Sequence, residues 1–149
     1  MSIAQTTTTS FRVELFQAIH NFGPTSPDTF KIALYTGAAS IGPTTTAYTT
    51  LGEVVGAGYT AGGNILVISP YPTSGFGPSP DLIPTAFVSF ANTYWSGASF
   101  TARGALIYNA SKGNRSVAVL DFGSDKTATT SFTVQFPNAD ASNAILRIS

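Results

Sequence analysis

Apolar and polar positions alternate along much of the chain after residue 30, and this period of two is typical of β-strands. Residues 30–36, for example, place Phe30, Ile32 and Leu34 on one face of a strand. Residues 65–69 instead form a continuous apolar run, as in a strand buried on both faces. The other predicted strands are residues 85–91, 99–109, 116–122, 131–136 and 144–149. Short strands separated by turn-forming residues predict a mainly β protein, an antiparallel β-sandwich of jelly-roll type.

A helical period occurs once, near the N-terminus. Its apolar positions recur at intervals of three and four residues, which predicts an amphipathic helix over residues 11–22. Ser10 is the expected N-cap, and Gly23 and Pro24 the expected stop. The predicted apolar stripe consists of Phe11, Leu15, Ile19 and Phe22.

The remaining stretches set the predicted domain organisation. Residues 1–9 are polar and rich in Thr, and they are expected to form a flexible, extended N-terminal arm. Residues 10–149 are expected to form one domain. Within it, residues 37–63 form a long Gly/Thr-rich connection and residues 69–84 a Pro-rich loop. Long connections of this kind are usually functional or mobile.

Composition narrows the function. Only 9% of the 149 residues are charged and the formal net charge is zero, whereas about 25% is usual in soluble domains. With 43% hydrophobic residues, this favours a subunit that buries surface against partners over a monomeric, Thr/Ser-rich β domain. The neutral charge indicates no nucleic-acid partner, and no apolar run reaches the roughly 20 residues of a membrane span. The first residues lack the pattern of a signal peptide.

Catalytic and cofactor motifs are weak. The chain has no cysteine, and its single histidine, His20, is expected to be exposed near the helix end. No serine lies in a G-x-S-x-G sequence. The glycine-rich residues 56–63 lack the Lys-Ser/Thr of a phosphate-binding loop and are interpreted as a turn that needs positive φ. We therefore predict no enzymatic activity, no catalytic residue and no cofactor.

The carboxylates give no metal-binding or glycosidase pattern. Residues 121–125 (DFGSD) carry two acids, but a hairpin turn is their expected role, and no metal site is predicted. A carbohydrate-binding module is a separate possibility, because such modules use exposed aromatic side chains on β-sandwiches. The aromatic candidates for that role are Trp95, Tyr94, Tyr59 and Tyr71.

A polar connector (NASKGNR, residues 109–115) joins two apolar segments. Gly113 and Asn114 tolerate left-handed backbone, so this connector is predicted to be a hairpin tip. Lys112 and Arg115 are expected to be exposed beside it, where they are free to contact a neighbour. We do not expect an active site there.

Five segments of the chain have a familiar order: ELFQAIHNFG, DTFKIALYTGAA, GYTAGG, FTARGALIYNASKGNRSVAVLDFGSDK and FTVQFPNADASNAILRI. With these segments the chain resembles a group of small virion proteins of tailed bacteriophages and prophages. The similarity runs from Phe11 over nearly the whole chain and is lowest in residues 69–84. The resemblance implies a capsid decoration, or cement, protein: a small β-sandwich or jelly roll made in the bacterial cytoplasm and bound to the outer capsid. The family class has no catalytic motif to carry over.

The implied partners are the major capsid protein and further copies of this chain, in a dimer or trimer. A tail or head–tail neck component is the first alternative, and a glycan- or receptor-binding module the second. We expect the contacts to come from the N-terminal arm, the Pro-rich loop and the hairpin tip. The candidate contact residues are Thr6, Thr7, Thr8, Thr9, Tyr71, Phe76, Leu82, Lys112 and Arg115.

Overall fold

The computed structural model describes residues 2–149, which form one helix, α1 (Thr9–Phe16), and ten strands. A short 3-10 turn at Ala110–Lys112 joins the seventh and eighth strands. The strands are β1 (Thr6–Thr7), β2 (Phe30–Tyr35), β3 (Asn64–Ile65), β4 (Thr73–Phe76), β5 (Pro84–Val88), β6 (Thr93–Ser96), β7 (Phe100–Asn109), β8 (Arg115–Ala128), β9 (Ser131–Val134) and β10 (Leu146–Ile148). All pairings between these strands are antiparallel, so the predicted mainly β, antiparallel fold is confirmed. The jelly-roll topology stays a prediction.

The largest sheet has the strand order β1-β8-β7-β2-β3. Its centre is the long β7–β8 hairpin, and β2 pairs with β7 along its whole length. The alternation predicted for β2 is confirmed: Ile32 and Leu34 lie in the main core, while Ala33 and Tyr35 lie in a second cluster on the opposite face. The central strands are therefore buried on both faces.

Two smaller sheets, β10-β5-β4 and β6-β9, contribute to the main core against the large sheet. Val88 and Leu146 come from the first of them, and Trp95 and Phe132 from the second. Aromatic rings fill much of this core; Phe22, for example, stacks on Phe30 with ring centroids 4.2 Å apart. Large aromatic side chains suit a core between short sheets because each buries a large area at low cost in side-chain entropy.

The second face of the large sheet is covered by the connection over residues 37–63. Ala39 and Ile41 pack with Tyr35, Leu106 and Val119 in the second cluster. The Tyr48 ring stacks on Tyr108 with centroids 4.8 Å apart. This long connection therefore completes the core.

The helix is shorter than predicted. It ends at Phe16 because Ala18 adopts a left-handed φ of 55°, so residues 17–22 leave the helix. Its N-cap is Thr8, whose hydroxyl accepts a hydrogen bond from Phe11 N, and Ser10 is not the cap. Phe22 still reaches the core because the chain turns back, whereas Phe16 on the helix is 95% exposed.

The prediction of a flexible arm over residues 1–9 is wrong for its described part. Thr6 and Thr7 form β1, paired with Val119 and Ala118 of β8. Thr8 is fully buried, and its hydroxyl lies 2.9 Å from Ser116 Oγ. Ile3 packs against the second cluster. Thr6 and Thr7 can form this sheet edge because the hydrogen bonds of a strand ladder come from the backbone and need no apolar side chain. Thr8 serves as the helix cap through its hydroxyl.

Three other segments differ from expectation. In residues 65–69, Ile65 and Val67 are exposed, so the run is not buried on both faces. Residues 121–125 are not a hairpin turn: Asp121 pairs with Gly104, and residues 122–125 form a bulge within β8 opposite Arg103. Gly123 supplies the positive φ. The Pro-rich segment 69–84 contains β4, which pairs with β5 as a hairpin.

Candidate functional site

The hairpin tip between β7 and β8 has the predicted conformation. Asn109 accepts a hydrogen bond from Ser111 N and begins the 3-10 turn. Gly113 and Asn114 then take left-handed φ values of 65° and 58°, which turn the chain into β8. The interpretation of residues 109–115 as a hairpin tip is confirmed.

The two basic residues of the tip are exposed, as predicted, but both have acidic partners. Arg115 donates to Glu14 Oε1 at 2.9 Å, and its side chain is 47% exposed. Lys112 Nζ lies 3.7 Å from Asp28 Oδ1, and its side chain is 42% exposed. These contacts tie the tip to helix α1 and to the loop before β2, so the two cations are not free surface charges.

His20 does not have the exposed position expected from the sequence. Its side chain has no solvent exposure; Nε2 lies 2.6 Å from Glu14 Oε2 and Nδ1 lies 2.9 Å from Asn109 Nδ2. An amide nitrogen can only donate, so Nδ1 is the acceptor and Nε2–H donates to the carboxylate. Asn109 also donates to Asp28 Oδ2. Both ring nitrogens are thus engaged inside the protein.

Glu53 is the second buried glutamate, and it lies within the connection over residues 37–63. Its Oε1 accepts from Tyr59 Oη and from Gly62 N, and its Oε2 accepts from Tyr48 Oη, each at 2.7 Å. Tyr108 Oη donates to Gly62 O at 2.7 Å. Gly62 and Gly63 both have positive φ, so the predicted turn in residues 56–63 is confirmed. The arrangement fixes this connection to the sheet.

The electrostatics of the cluster keep its tyrosines protonated. Burial, and then the charge of Glu53, raises the pKa of Tyr108 to about 12. Burial, followed by the hydrogen bond to Glu53, raises the pKa of Tyr59 and of Tyr48 further still. Burial also raises the pKa of Tyr35, whose hydroxyl donates to Thr49 O at 2.6 Å. Neutral hydroxyls are therefore the hydrogen-bond donors that hold the Glu53 carboxylate.

Two open grooves lie outside these networks. One, of about 510 Å³, runs between β8 and β9 and is lined by Phe122, Phe132 and Phe136 among others. Its acid, Asp121, is already paired with Arg103 at 2.7 Å. The other, of about 590 Å³, lies beside β10, where Arg147 donates to Ser142 O. Few charged side chains line either groove. Most of the lining residues are apolar or carry a hydroxyl group.

The Pro-rich segment presents the predicted apolar side chains. Phe76 is 69% exposed, Leu82 53% and Tyr71 42%, and the neighbouring Ile83 is also exposed. Asp81 is the only charged residue between Glu53 and Arg103. These exposed apolar side chains therefore lie within a long stretch of chain that has almost no charge. The low charge of this stretch can be read from the sequence, and it supports the same contact residues.

The aromatic candidates for carbohydrate binding do not form one platform. Trp95 is only 4% exposed and packs against Tyr59 and Phe132 in the core. Tyr94 is 67% exposed but stands on the opposite side of β6 from Trp95, because successive side chains alternate along a strand. Trp95, the largest of the aromatic candidates, is therefore not available at the surface to bind a glycan.

The sequence did not lead us to predict that Glu14 and Glu53 are buried and bind several other side chains. In a chain with seven acidic residues, a glutamate placed among apolar neighbours is a signal for an internal partner. The partners themselves, Arg115 and Tyr48 among them, come from distant or irregular segments.

Within residues 2–149, no helix has both the length and the apolar character of a membrane span. Comparison of the chain with protein-family models, with curated protein sequences and with solved structures found no match.

Proposed function

We propose that this chain is a non-enzymatic structural protein of a tailed-phage virion, which binds the outer capsid shell and stabilises it. The observation that carries the proposal is the surface of the Pro-rich segment, where Tyr71, Phe76 and Leu82 are exposed beside an almost uncharged stretch of chain. Several exposed apolar side chains on one nearly uncharged segment favour burial of that segment against another protein. The resemblance to phage virion proteins supports the same role.

The polar networks support a structural role over an enzymatic one. The ring nitrogens of His20 are both bonded internally, and the Glu53 carboxylate accepts three hydrogen bonds. A general base needs a free lone pair within reach of its substrate. His20 and Glu53 are both buried, and their hydrogen bonds are made inside the protein, so both groups serve the rigidity of the domain.

The proposed contact surface is narrower than the sequence alone indicated. The threonines Thr6–Thr9 are engaged in β1 and α1, so they are not candidates for an arm that reaches a neighbour. Lys112 and Arg115 hold the hairpin tip through Asp28 and Glu14. We therefore assign capsid contact to Tyr71, Phe76 and Leu82.

The stabilisation of a shell by such a protein follows from mass action. A protein that binds only the assembled shell stabilises it by about 2.7 kcal/mol per site when its free concentration is 100 times the dissociation constant. The experiment compares phage capsids with and without added protein during heating. We expect the shell to disassemble at a higher temperature with the wild-type chain, and less so with Phe76→Ser/Leu82→Ser. A shell transition unchanged by saturating wild-type protein would contradict the proposal.

A tail or neck position is the runner-up, because the low charge of this chain and its exposed apolar side chains fit that role nearly as well. Binding of the wild-type chain to purified tails or connectors, without binding to capsids, would favour this alternative.

A further inference from the structure

Strand β4 lies at the edge of the three-stranded sheet β10-β5-β4. Within residues 2–149 it pairs with β5 on one side only. An edge strand offers unpaired N–H and C=O groups, which readily pair with a strand of another chain.

The hydrogen-bond phase shows which groups of β4 point outward. Gly77 N donates to Ile83 O at 2.9 Å, which continues the β4–β5 register beyond the strand. Hydrogen-bonded pairs recur every second residue in an antiparallel ladder, so Thr73 and Gly75 face β5 with their N–H and C=O groups. The backbone groups of Ser74 and Phe76 therefore point away from the sheet.

The same phase places prolines at both ends of this free edge. Pro72 and Pro78 occupy the next outward positions, and neither has an N–H to donate. The free donors of the edge are thus limited to Ser74 and Phe76. Edge strands are commonly protected by charged side chains, and β10 at the other edge carries Arg147. Strand β4, with the sequence TSGF, carries no charge.

We propose that β4 pairs with β4 of a second copy of this chain, antiparallel and about a two-fold axis that passes between the two copies of Gly75. In this register Ser74 lies opposite the second copy's Phe76, and each such pair exchanges two hydrogen bonds. The two three-stranded sheets join into one, and Pro72 and Pro78 end the ladder on each side. This inference deepens the proposed function by identifying the contact between copies.

A second copy fits this edge better than a charged partner does. Asp81 is the only acid near the strand in sequence, so two copies meet without a cluster of like charges. The axis passes between the two copies of Gly75, which form a non-hydrogen-bonded pair whose Cα atoms approach to about 4.5 Å. A residue without a side chain suits this closest approach. The pairing also brings the exposed Phe76 of each copy beside Ser74 of the other on one sheet face.

Single cysteines test the register directly, since the chain has no cysteine of its own. A Cβ at residue 75 meets only Phe87 and Ala141, at 3.4 and 3.5 Å, so Gly75→Cys is tolerated. Across the axis the Cα atoms of the two copies of residue 75 lie within disulfide range. The matched control is Thr73→Cys on the same strand and face, because the two copies of residue 73 stand roughly 13 Å apart. We expect a rapid disulfide dimer from Gly75→Cys and none from Thr73→Cys. Equal cross-linking of both variants, or of neither, would overturn the register.

The free N–H groups are tested by Ser74→Pro, with Ser74→Ala as the control. Proline removes an outward donor and leaves the β4–β5 bonds intact, whereas alanine removes only the hydroxyl. The pairing is short, so we expect a micromolar dimer, visible by light scattering at about 100 µM. Ser74→Pro should weaken it by about tenfold or more, because two of the hydrogen bonds across the axis are lost. Ser74→Ala should match the wild type.

The outcomes separate this inference from the proposed function. A wild-type chain that is monomeric at that concentration, together with a Gly75→Cys variant that forms no cross-link, overturns the β4 dimer, whether or not the chain binds capsids. A capsid partner that occupies β4 instead would show as weaker capsid binding by Ser74→Pro with a monomeric wild type, and this also overturns it. A β4 dimer that binds no capsid supports the dimer and contradicts the proposed function.

Discussion

Removal of the Glu53 carboxylate should destabilise the domain more than removal of any exposed acidic side chain. Glu53→Ala leaves Gly62 N and the hydroxyls of Tyr48 and Tyr59 without their acceptor. The Tyr59 hydroxyl also accepts from Leu34 N at 2.9 Å, so the loss extends to a central strand. Glu53 is buried, so water replaces the carboxylate poorly.

The magnitude follows from the three hydrogen bonds. A hydrogen bond to a charged group contributes about 1.5–3 kcal/mol, and part of the total is offset because the alanine variant no longer buries a charge. We therefore expect a loss of about 3–5 kcal/mol in the free energy of unfolding, or roughly 10 °C in melting temperature. Glu53→Gln keeps the shape and one acceptor oxygen, and it should lose about 1–2 kcal/mol.

The assay is thermal and urea unfolding followed by circular dichroism. Asp81→Ala is the control, because Asp81 is exposed and its removal should change stability by less than about 0.5 kcal/mol. The expected order of destabilisation is Glu53→Ala, then Glu53→Gln, then Asp81→Ala. A Glu53→Ala variant as stable as Asp81→Ala would refute the view that this carboxylate holds the connection over residues 37–63 to the sheet.

Three further predictions concern stability. The raised pKa of Tyr108, about 12, means that the native state keeps protons that the unfolded chain loses above the ordinary tyrosine pKa of about 10. The urea midpoint should therefore be constant up to about pH 9 and fall as pH rises from 10 towards 12, and an equal midpoint at pH 8 and 11 would contradict this. Thr8→Ala should cost about 1–2 kcal/mol through the lost helix cap and the contact with Ser116, and an unchanged urea midpoint would show that residues 2–9 are an independent arm after all. Trp95→Ala should lower the free energy of unfolding by about 3–5 kcal/mol. Trp95→Phe should lower it far less, because Trp95 Nε1 is buried without a hydrogen-bond partner within residues 2–149. Equal losses for the two variants in calorimetry would contradict this and indicate a stabilising contact of the indole N–H.

The sequence was sufficient where local pattern and local chemistry decide the structure. The alternation in residues 30–36 identifies both faces of β2, because a central strand between two hydrophobic clusters contributes alternate side chains to each cluster. Gly113 and Asn114 identify the hairpin tip, since few other residues accept left-handed backbone. The exposure of Phe76 and Leu82 follows from their position among prolines and polar residues.

The sequence was insufficient where a distant segment decides the structure. Thr8 is buried because Ser116 and helix α1 meet above it, and nothing within the Thr-rich run indicates this. His20 is buried because the chain turns at Ala18 and directs its ring between Glu14 and Asn109. Strand β4 has weak strand propensity in its TSGF sequence and exists through its ladder with β5.

The copy number of this chain in purified virions tests the capsid assignment most directly. Quantitative mass spectrometry of virions gives its molar ratio to the major capsid protein, and electron cryo-microscopy of the same particles locates it. We expect a ratio approaching that of a capsid subunit, with density on the outer shell. A few copies per particle, confined to the tail or neck, or none at all, would contradict the capsid-binding role.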